Sequence, residues 1–336
     1  MAVLSILDPS PVFAHRTAAD ALAATRALAE AADNLGYRSF WVQEHHNLAS
    51  FAGTAPEVQI ADLAARTDRL ILGSGGVMLA NYSPLKVAET FSMLSALYPG
   101  RIELGLGRAS GADPRTTAAL LGPGADAFPQ MLRLLMDWLL DSAGTRPLPA
   151  DHRARGIHAN PPAPCPDLWL LTSSSQSAAF AGAMGLKLAF ADFLSPGGAG
   201  PAIDAYHAAF EASDFAHRPH AAIGLSALCA ETEAEARRLA SPAAAWSLNL
   251  GQGRGAPFAA PEVAVELLAG QPQTTPAQAQ SRALAGAAAD VAEQLAETAE
   301  KTRADEFFLI GLTDPVTARV ESYGLLMEAW QGLSDR

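Results

Sequence analysis

Eight short apolar runs, spaced along the chain by helix-forming sequence, constrain the fold more than any other feature. They are Val3–Leu7, Ser39–Gln43, Leu70–Gly73, Ile102–Leu106, Leu168–Thr172, Lys187–Ala191, Ala221–Ala227 and Glu306–Ile310. Runs this short and β-rich read as strands. Strands that alternate with long helices pair in parallel and are covered by helices. Thr17–Asn34 is the clearest intervening helix, stopped by the turn Asn34-Leu35-Gly36, and Asp290–Thr302 plays the same part before the last strand. Eight such units predict an α/β fold closed into a (β/α)8 TIM barrel, with a doubly wound open sheet as the competing arrangement. The length of 336 residues suits one large barrel domain over 1–336.

Two segments break the rhythm and read as insertions after strands four and seven. Asp113–Pro166 ends in the extended HANPPAPCP, and Ser241–Ala288 contains LNLGQGRGAP and QPQTTPAQAQ. Long Gly/Pro-rich insertions in a barrel serve as lids or as surface padding; 241–288 is expected to be a mobile lid.

The net charge of −12 and pI near 5.1 argue against nucleic acid or an anionic membrane surface as partner, since both call for a basic face. Cys165 and Cys229 lie far apart and lack metal-ligand spacing, as expected of a reduced, cytoplasmic protein. The N-terminal MAVLSILDPSPV has no basic region and reads as a first barrel strand, not a leader. No apolar run approaches the ~20 residues of a membrane helix.

Chemistry concentrates at three places. In residues 70–111, two strands flank a helix opened by Ser83-Pro84 and closed by Pro99-Gly100; both strands end in glycines, the second at Arg108. Ligands of parallel α/β folds bind at such C-terminal strand ends. Arg108 can fork onto a phosphate or make a surface salt bridge. Glu44-His45-His46 follows strand two, and alternation puts Glu44 and His46 on one side and His45 on the other. These residues are catalytic candidates or a hydrogen-bonded strand end. No further ligands support a metal. Thr172-Ser173-Ser174-Ser175-Gln176-Ser177 opens a helix, where hydroxyls and free N–H groups hold anions or cap the helix. Gly105–Gly111 matches a dinucleotide fingerprint only loosely and sits on the wrong strand. Neither a nucleophile elbow nor a P-loop occurs, so a covalent hydrolase and a phosphate-transfer enzyme are unsupported.

In order and spacing, FWVQEHHN, GSGGVMLANYSP, YPGRIELGLGRASG, LWLLTSSSQSAAFAGAMGLKLAFADFLSP and DVAEQLAETAEKTRADEFFLIG resemble the bacterial luciferase-like superfamily of flavin-dependent monooxygenases, in its single-chain oxidoreductase branch. The resemblance spans nearly the whole chain and is weakest at 241–288. It implies that Arg108 binds the phosphate of FMN, with Thr172, Ser173, Ser174 and Ser177 completing the cradle. It further implies a catalytic role for His45 with Glu44 and His46 beside it, and a non-prolyl cis peptide at Gly75–Gly76 beneath the flavin ring. The activity implied is an FMN-dependent monooxygenase that receives reduced flavin from a separate reductase and uses O2 on a small organic substrate. Two alternatives stay open: a deazaflavin- or FMN-dependent hydride-transfer enzyme, and a non-catalytic flavin-binding protein. The resemblance also implies a homodimer through helices 55–66 and 84–97, where Ala61, Ala64, Ala65 and Ala88 are small enough for close approach. Departures from the pattern are Gly107 in place of a reactive cysteine, and Ala80 and Tyr82, expected to reshape the substrate side.

Overall fold

The first helix shows how local sequence sets an element. Thr17 and Asp20 form a reciprocal cap, with Thr17 N–H donating to the Asp20 carboxylate at 2.8 Å and Asp20 N–H donating to the Thr17 hydroxyl at 3.2 Å. The helix α1 (Ala18–Leu35) buries Ala21, Thr25, Leu28, Ala29 and Ala32 along one stripe and ends at Gly36, whose φ of 84° suits a residue without Cβ. A computed structural model describes residues 1–109, 112–120, 124–251, 255–270 and 283–334.

The strands are β1 (Val3–Asp8), β2 (Ser39–Val42), β3 (Ile71–Met78), β4 (Ile102–Gly107), β5 (Asp167–Thr172), β6 (Lys187–Ala191), β7 (Ala221–Cys229), β8 (Ala283–Gly286) and β9 (Glu306–Ile310). All pair in parallel, and β9 closes the sheet onto β1 through Val3↔Glu306 and onto β7 through Ala222↔Glu306. The result is the expected eight-stranded (β/α)8 barrel, with β8 added to the last four residues of β7. The open sheet is excluded by that closure.

Among the described residues the remaining α-helices are α2 (Pro56–Ala64), α3 (Pro84–Leu97), α4 (Pro114–Leu120), α5 (Phe128–Ser142), α6 (Ser175–Ala183), α7 (Ala199–Ala209), α8 (Glu233–Gly251), α9 (Pro261–Ala269), α10 (Ala288–Thr302) and α11 (Val316–Ser334). Segment 113–166 therefore contains α4 and α5, and α5 buries Met131, Leu132, Leu135 and Leu139 in the core. Segment 241–288 contains the end of α8, then α9 and β8. Its residues 252–254 and 271–282, which carry most of the low-complexity sequence expected to form a lid, lie outside the described residues.

Two strand expectations need correction. β3 runs on to Met78, because it stays paired with β4 beyond Gly75 across a register shift at Gly75/Val77. β8, read from sequence as part of a loop, is a strand because β7 extends past its pairing with β9 and offers a free edge.

Residues alternating along the strands fill the barrel in layers. At the floor, Arg38 bridges Glu103 at 2.8 Å and Glu306 at 3.1 Å, and Ser5 and His220 add hydrogen bonds to Glu306. Both carboxylates are buried. Burial pushes the Glu103 carboxyl up despite Arg38, whereas the His220 bond and the Arg38 charge hold Glu306 below the usual range against its own burial. In the middle lie Leu7, Trp41, Trp169, Ala189, Ala222 and Phe308. Trp41 packs on Phe308 at 4.0 Å and donates its indole N–H to Glu103 at 2.7 Å. The next inward residues, Pro9, Gln43, Ile310 and Leu312, already face the mouth.

Arg38→Met should leave two buried carboxylates without their cation and cost about 3–5 kcal/mol. Urea unfolding at pH 7 measures this, and adding Glu103→Gln should restore part of the loss. Gly105→Ala should cost about 3 kcal/mol on the same measurement, since its Cβ would fall 2.1 Å from the Ser74 carbonyl oxygen, a backbone atom that cannot swing aside.

Candidate active site

The mouth is built at the C-terminal strand ends, and β2 supplies its central residues. As the chain leaves β2 it stays extended, so Gln43 and His45 face the cavity while Glu44 and His46 turn the other way. Glu44 is fully buried. It accepts hydrogen bonds from His46 Nε2 at 2.7 Å, the Met78 N–H at 3.0 Å and the Tyr82 hydroxyl at 2.8 Å. Those three donors leave the carboxylate little capacity for a ligand. Glu44 and His46 therefore brace β2 against the end of β3. Tyr82, whose hydroxyl pKa is raised by burial and by Glu44, belongs to this brace and not to the cavity lining.

His45 differs in every respect. Its backbone N–H donates to Gly53 O at 2.9 Å and its ring stacks on Phe51 at 4.5 Å. Its Nδ1 is buried and has no hydrogen-bond partner. Burial, and secondarily the neighbouring His46 charge, lower its pKa to about 4. The imidazole is therefore neutral at pH 7, with one ring nitrogen unpartnered.

The cavity in front of it has a volume of about 550 Å³, within the ~300–1,000 Å³ range of small-molecule sites. Its walls are mainly apolar: Phe51, Phe193, Trp246, Leu250, Ile310 and Leu312. Gln43, Ser226, Ser247 and Arg237 add polar groups, and among the described residues no carboxylate lines it. Arg237 is exposed and paired with Glu233 at 2.5 Å.

The remaining sequence candidates gather on the opposite side of the mouth and do not line this cavity. β4 and β5 are neighbours with Leu106 opposite Leu170, so Arg108 and Thr172 leave adjacent strands at matching height. Arg108 is exposed and makes no ion pair among the described residues. Thr172 is buried with its hydroxyl unpartnered. Ser174 caps α6 by accepting from the Ser177 N–H at 3.3 Å, and also donates to the Ser177 hydroxyl at 3.2 Å. Ser173 is exposed, and its carbonyl accepts from Ser195. Gly75–Gly76 is a cis peptide on adjacent β3. The space left by Gly75 is taken from within the barrel: a Cβ there would meet Leu7 at 2.4 Å, and one at Gly76 would meet the Gly105 carbonyl oxygen at 2.7 Å.

A family model described as luciferase-like monooxygenase matches residues 3–306. The chain belongs to that family. A luciferase-like monooxygenase of Escherichia coli K12 is 34% identical over 333 residues, covering 98% of this chain and 97% of its own. Among solved structures, apo-MsnO8 superposes with a TM-score of 0.87 at 36% identity, covering 98% of this chain and 99% of that one. The fold alone is shared with two more distant structures. One is the oxygenating constituent of 3,6-diketocamphane monooxygenase from Pseudomonas putida, in complex with FMN (TM-score 0.72, 18% identity, 98% of each chain). The other is an F420-dependent secondary alcohol dehydrogenase (TM-score 0.66, 14% identity, 98% of this chain and 99% of that one). Family membership and the Escherichia coli relative support an oxidoreductase, in a fold that elsewhere binds a flavin or a deazaflavin.

Sequence reasoning missed Gln43, Phe51 and Trp246. Gln43 was legible from the alternation that singles out His45. Trp246 lies in a stretch with no motif, and nothing in one chain links it to strand two.

The His45 ring should titrate near pH 4 by NMR, assigned with His45→Gln. Because the folded state binds this proton less readily than the unfolded chain, its contribution to stability should be lost as pH falls from about 6.5 towards 4. A midpoint at the ordinary imidazole value would contradict the burial described here.

Proposed function

We propose that this chain is a flavin-dependent monooxygenase that takes reduced FMN from a separate reductase and, with O2, oxidises a small, largely apolar molecule. The observation that carries the reading is the pairing, across one barrel mouth, of a neutral, unpartnered imidazole in an apolar cavity with a group of anion-holding donors on adjacent strand ends. Arg108, the Thr172 and Ser173 hydroxyls and the capped start of α6 at Ser174 and Ser177 would hold the cofactor phosphate. The fit rests on leftover capacity: Arg108 has no ion-pair partner among the described residues, and the buried Thr172 hydroxyl has no hydrogen-bond partner. The backbone at Gly75–Gly76, bare of side chains, would lie along the ring.

Bound reduced flavin supplies the two electrons with which one oxygen atom of O2 enters the substrate and the other leaves as water. This chain's own part is to exclude water and handle protons. Phe51, Phe193, Trp246 and Leu312 keep the cavity apolar, and the His45 imidazole, which lines it, would take a proton from, or return one to, a group lying there. Glu44 and His46 hold β2 in place and do not touch that group. A wall without carboxylates among the described residues favours neutral or anionic substrates over cations.

We further propose a homodimer through α2 and α3. The support comes from Val58, Met93 and Leu97, which are 65%, 51% and 58% exposed on these helices. Ala64 and Ala88, named from sequence for close approach, are instead consumed by the barrel's own core. Among the described residues no helix is long and apolar enough to cross a membrane. A cytoplasmic location is part of the same proposal.

Equilibrium binding of reduced FMN under anaerobic conditions tests the cofactor reading. Arg108→Ala should weaken it roughly 10- to 100-fold, the worth of a charge-assisted bond to phosphate. Oxygen uptake with a reductase present should fall with His45→Gln. Tighter binding of a reduced deazaflavin than of FMN, with no oxygen uptake, would overturn the monooxygenase in favour of hydride transfer.

A further inference from the structure

His45 is held less by its own strand than by a cluster assembled from remote segments. Phe51, on which the imidazole stacks, is met edge-on by Trp246 at 5.4 Å and by Phe258 at 5.6 Å. Trp246 and Phe258 stack on each other at 5.3 Å. Trp246 also donates its indole N–H to the Ser50 hydroxyl at 2.7 Å, and Ser50 in turn donates to the Ala256 carbonyl at 2.8 Å. Ser50 is fully buried. The loop that carries Ser50 and Phe51 is therefore pinned to α8 at both residues, and the same loop returns at Gly53 to accept the His45 N–H. Trp246 differs from the other members of the cluster in position. It sits on α8, whose Ala240, Ala243, Ala244 and Ser247 form a wall of the cavity.

We propose that Trp246 is a positioning residue for His45, clamping Ser50 by its N–H and Phe51 by its ring edge so that the imidazole keeps one orientation towards the cavity. The proposal rests on the reading of His45 as the proton-handling residue. A stacked pair has freedom to slide unless its outer ring is fixed, and Phe51 has no polar atom with which to fix itself. The hydrogen bond to Ser50 supplies direction that ring contacts lack. A molecule that packs against the small residues of α8 also displaces or seats Trp246, so occupation of the cavity wall is felt at the histidine without direct contact.

The test uses the full chain, with His45 ring resonances assigned through His45→Gln. In wild type the imidazole protons should be shifted upfield by the Phe51 ring. Trp246→Ala should move them towards the solvent position and broaden them, and should raise the titration midpoint towards that of an exposed histidine. Trp246→Phe, which keeps a ring against Phe51 and loses the N–H, should give an intermediate shift, and Ser50→Ala should match it. The Trp246→Phe/Ser50→Ala double variant should be no worse than either, because both remove one bond. Should Trp246→Ala fail to fold, the Trp246→Phe and Ser50→Ala pair carries the test. Wild-type resonances and midpoint in folded Trp246→Phe and Ser50→Ala would overturn the clamp. Oxygen uptake unchanged in His45→Gln would instead overturn the functional reading and leave the clamp standing.

Discussion

The barrel is organised around the Trp41 indole. A Cβ added at Gly73 would lie 2.3 Å from its Nε1, and at Gly105 one would lie 3.1 Å from its Cζ3. Gly75 leaves room for the same ring and for Leu7. Gly73 on β3 thus leaves the space that one large side chain from β2 fills, and Gly75 and Gly105 border the same ring. Its N–H reaches down to Glu103, which binds the middle layer to the Arg38 floor. Above it nothing large follows on β2: the next inward residues are Gln43 and His45, and the cavity begins there. A plug at mid-height fixes both where the core ends and where a ligand site can start.

This geometry explains what was readable in the sequence and what was not. The eight strands were legible because parallel strands buried on both faces leave continuous apolar runs, and the helices between them carry caps such as Thr17/Asp20 and Gly36. The split between His45 and Glu44/His46 was legible from the two-residue period alone. The glycines were legible as a need for space, yet the occupant of the space was not. Sequence places glycines at strand ends and suggests a ligand, whereas at Gly73 the claimant is Trp41, on the neighbouring strand, and at Gly75 it is Leu7 from β1. β8 escaped because four residues, Ala283–Gly286, have no strand signal of their own; an unpaired edge on β7 makes them one.

The two halves of the mouth have different electrostatic characters, and this follows from which strands feed them. β2, β7 and β9 deliver apolar or neutral groups, and α8 covers them with alanines. β4 and β5 lead to a guanidinium with no ion-pair partner among the described residues and to a helix start lined with hydroxyls, groups of the kind that suit an anion. A molecule with an anionic tail and a flat body is accommodated by such a division better than a uniformly charged or uniformly apolar one.

Glu44 and His45, adjacent in sequence, reach opposite fates through burial of opposite kinds. Glu44 is buried among three donors, so its negative charge is compensated in place. His45 is buried between an aromatic ring and an apolar cavity, with no carboxylate to stabilise a positive charge, so it sheds its proton. The neighbouring His46 pushes in the same direction. The brace behind the strand and the neutrality of the imidazole in front of it are thus one arrangement: the carboxylate that could have charged His45 is turned away and occupied. An imidazole kept neutral in this way stays available at pH 7 as a hydrogen-bonding group without bringing a charge into the cavity.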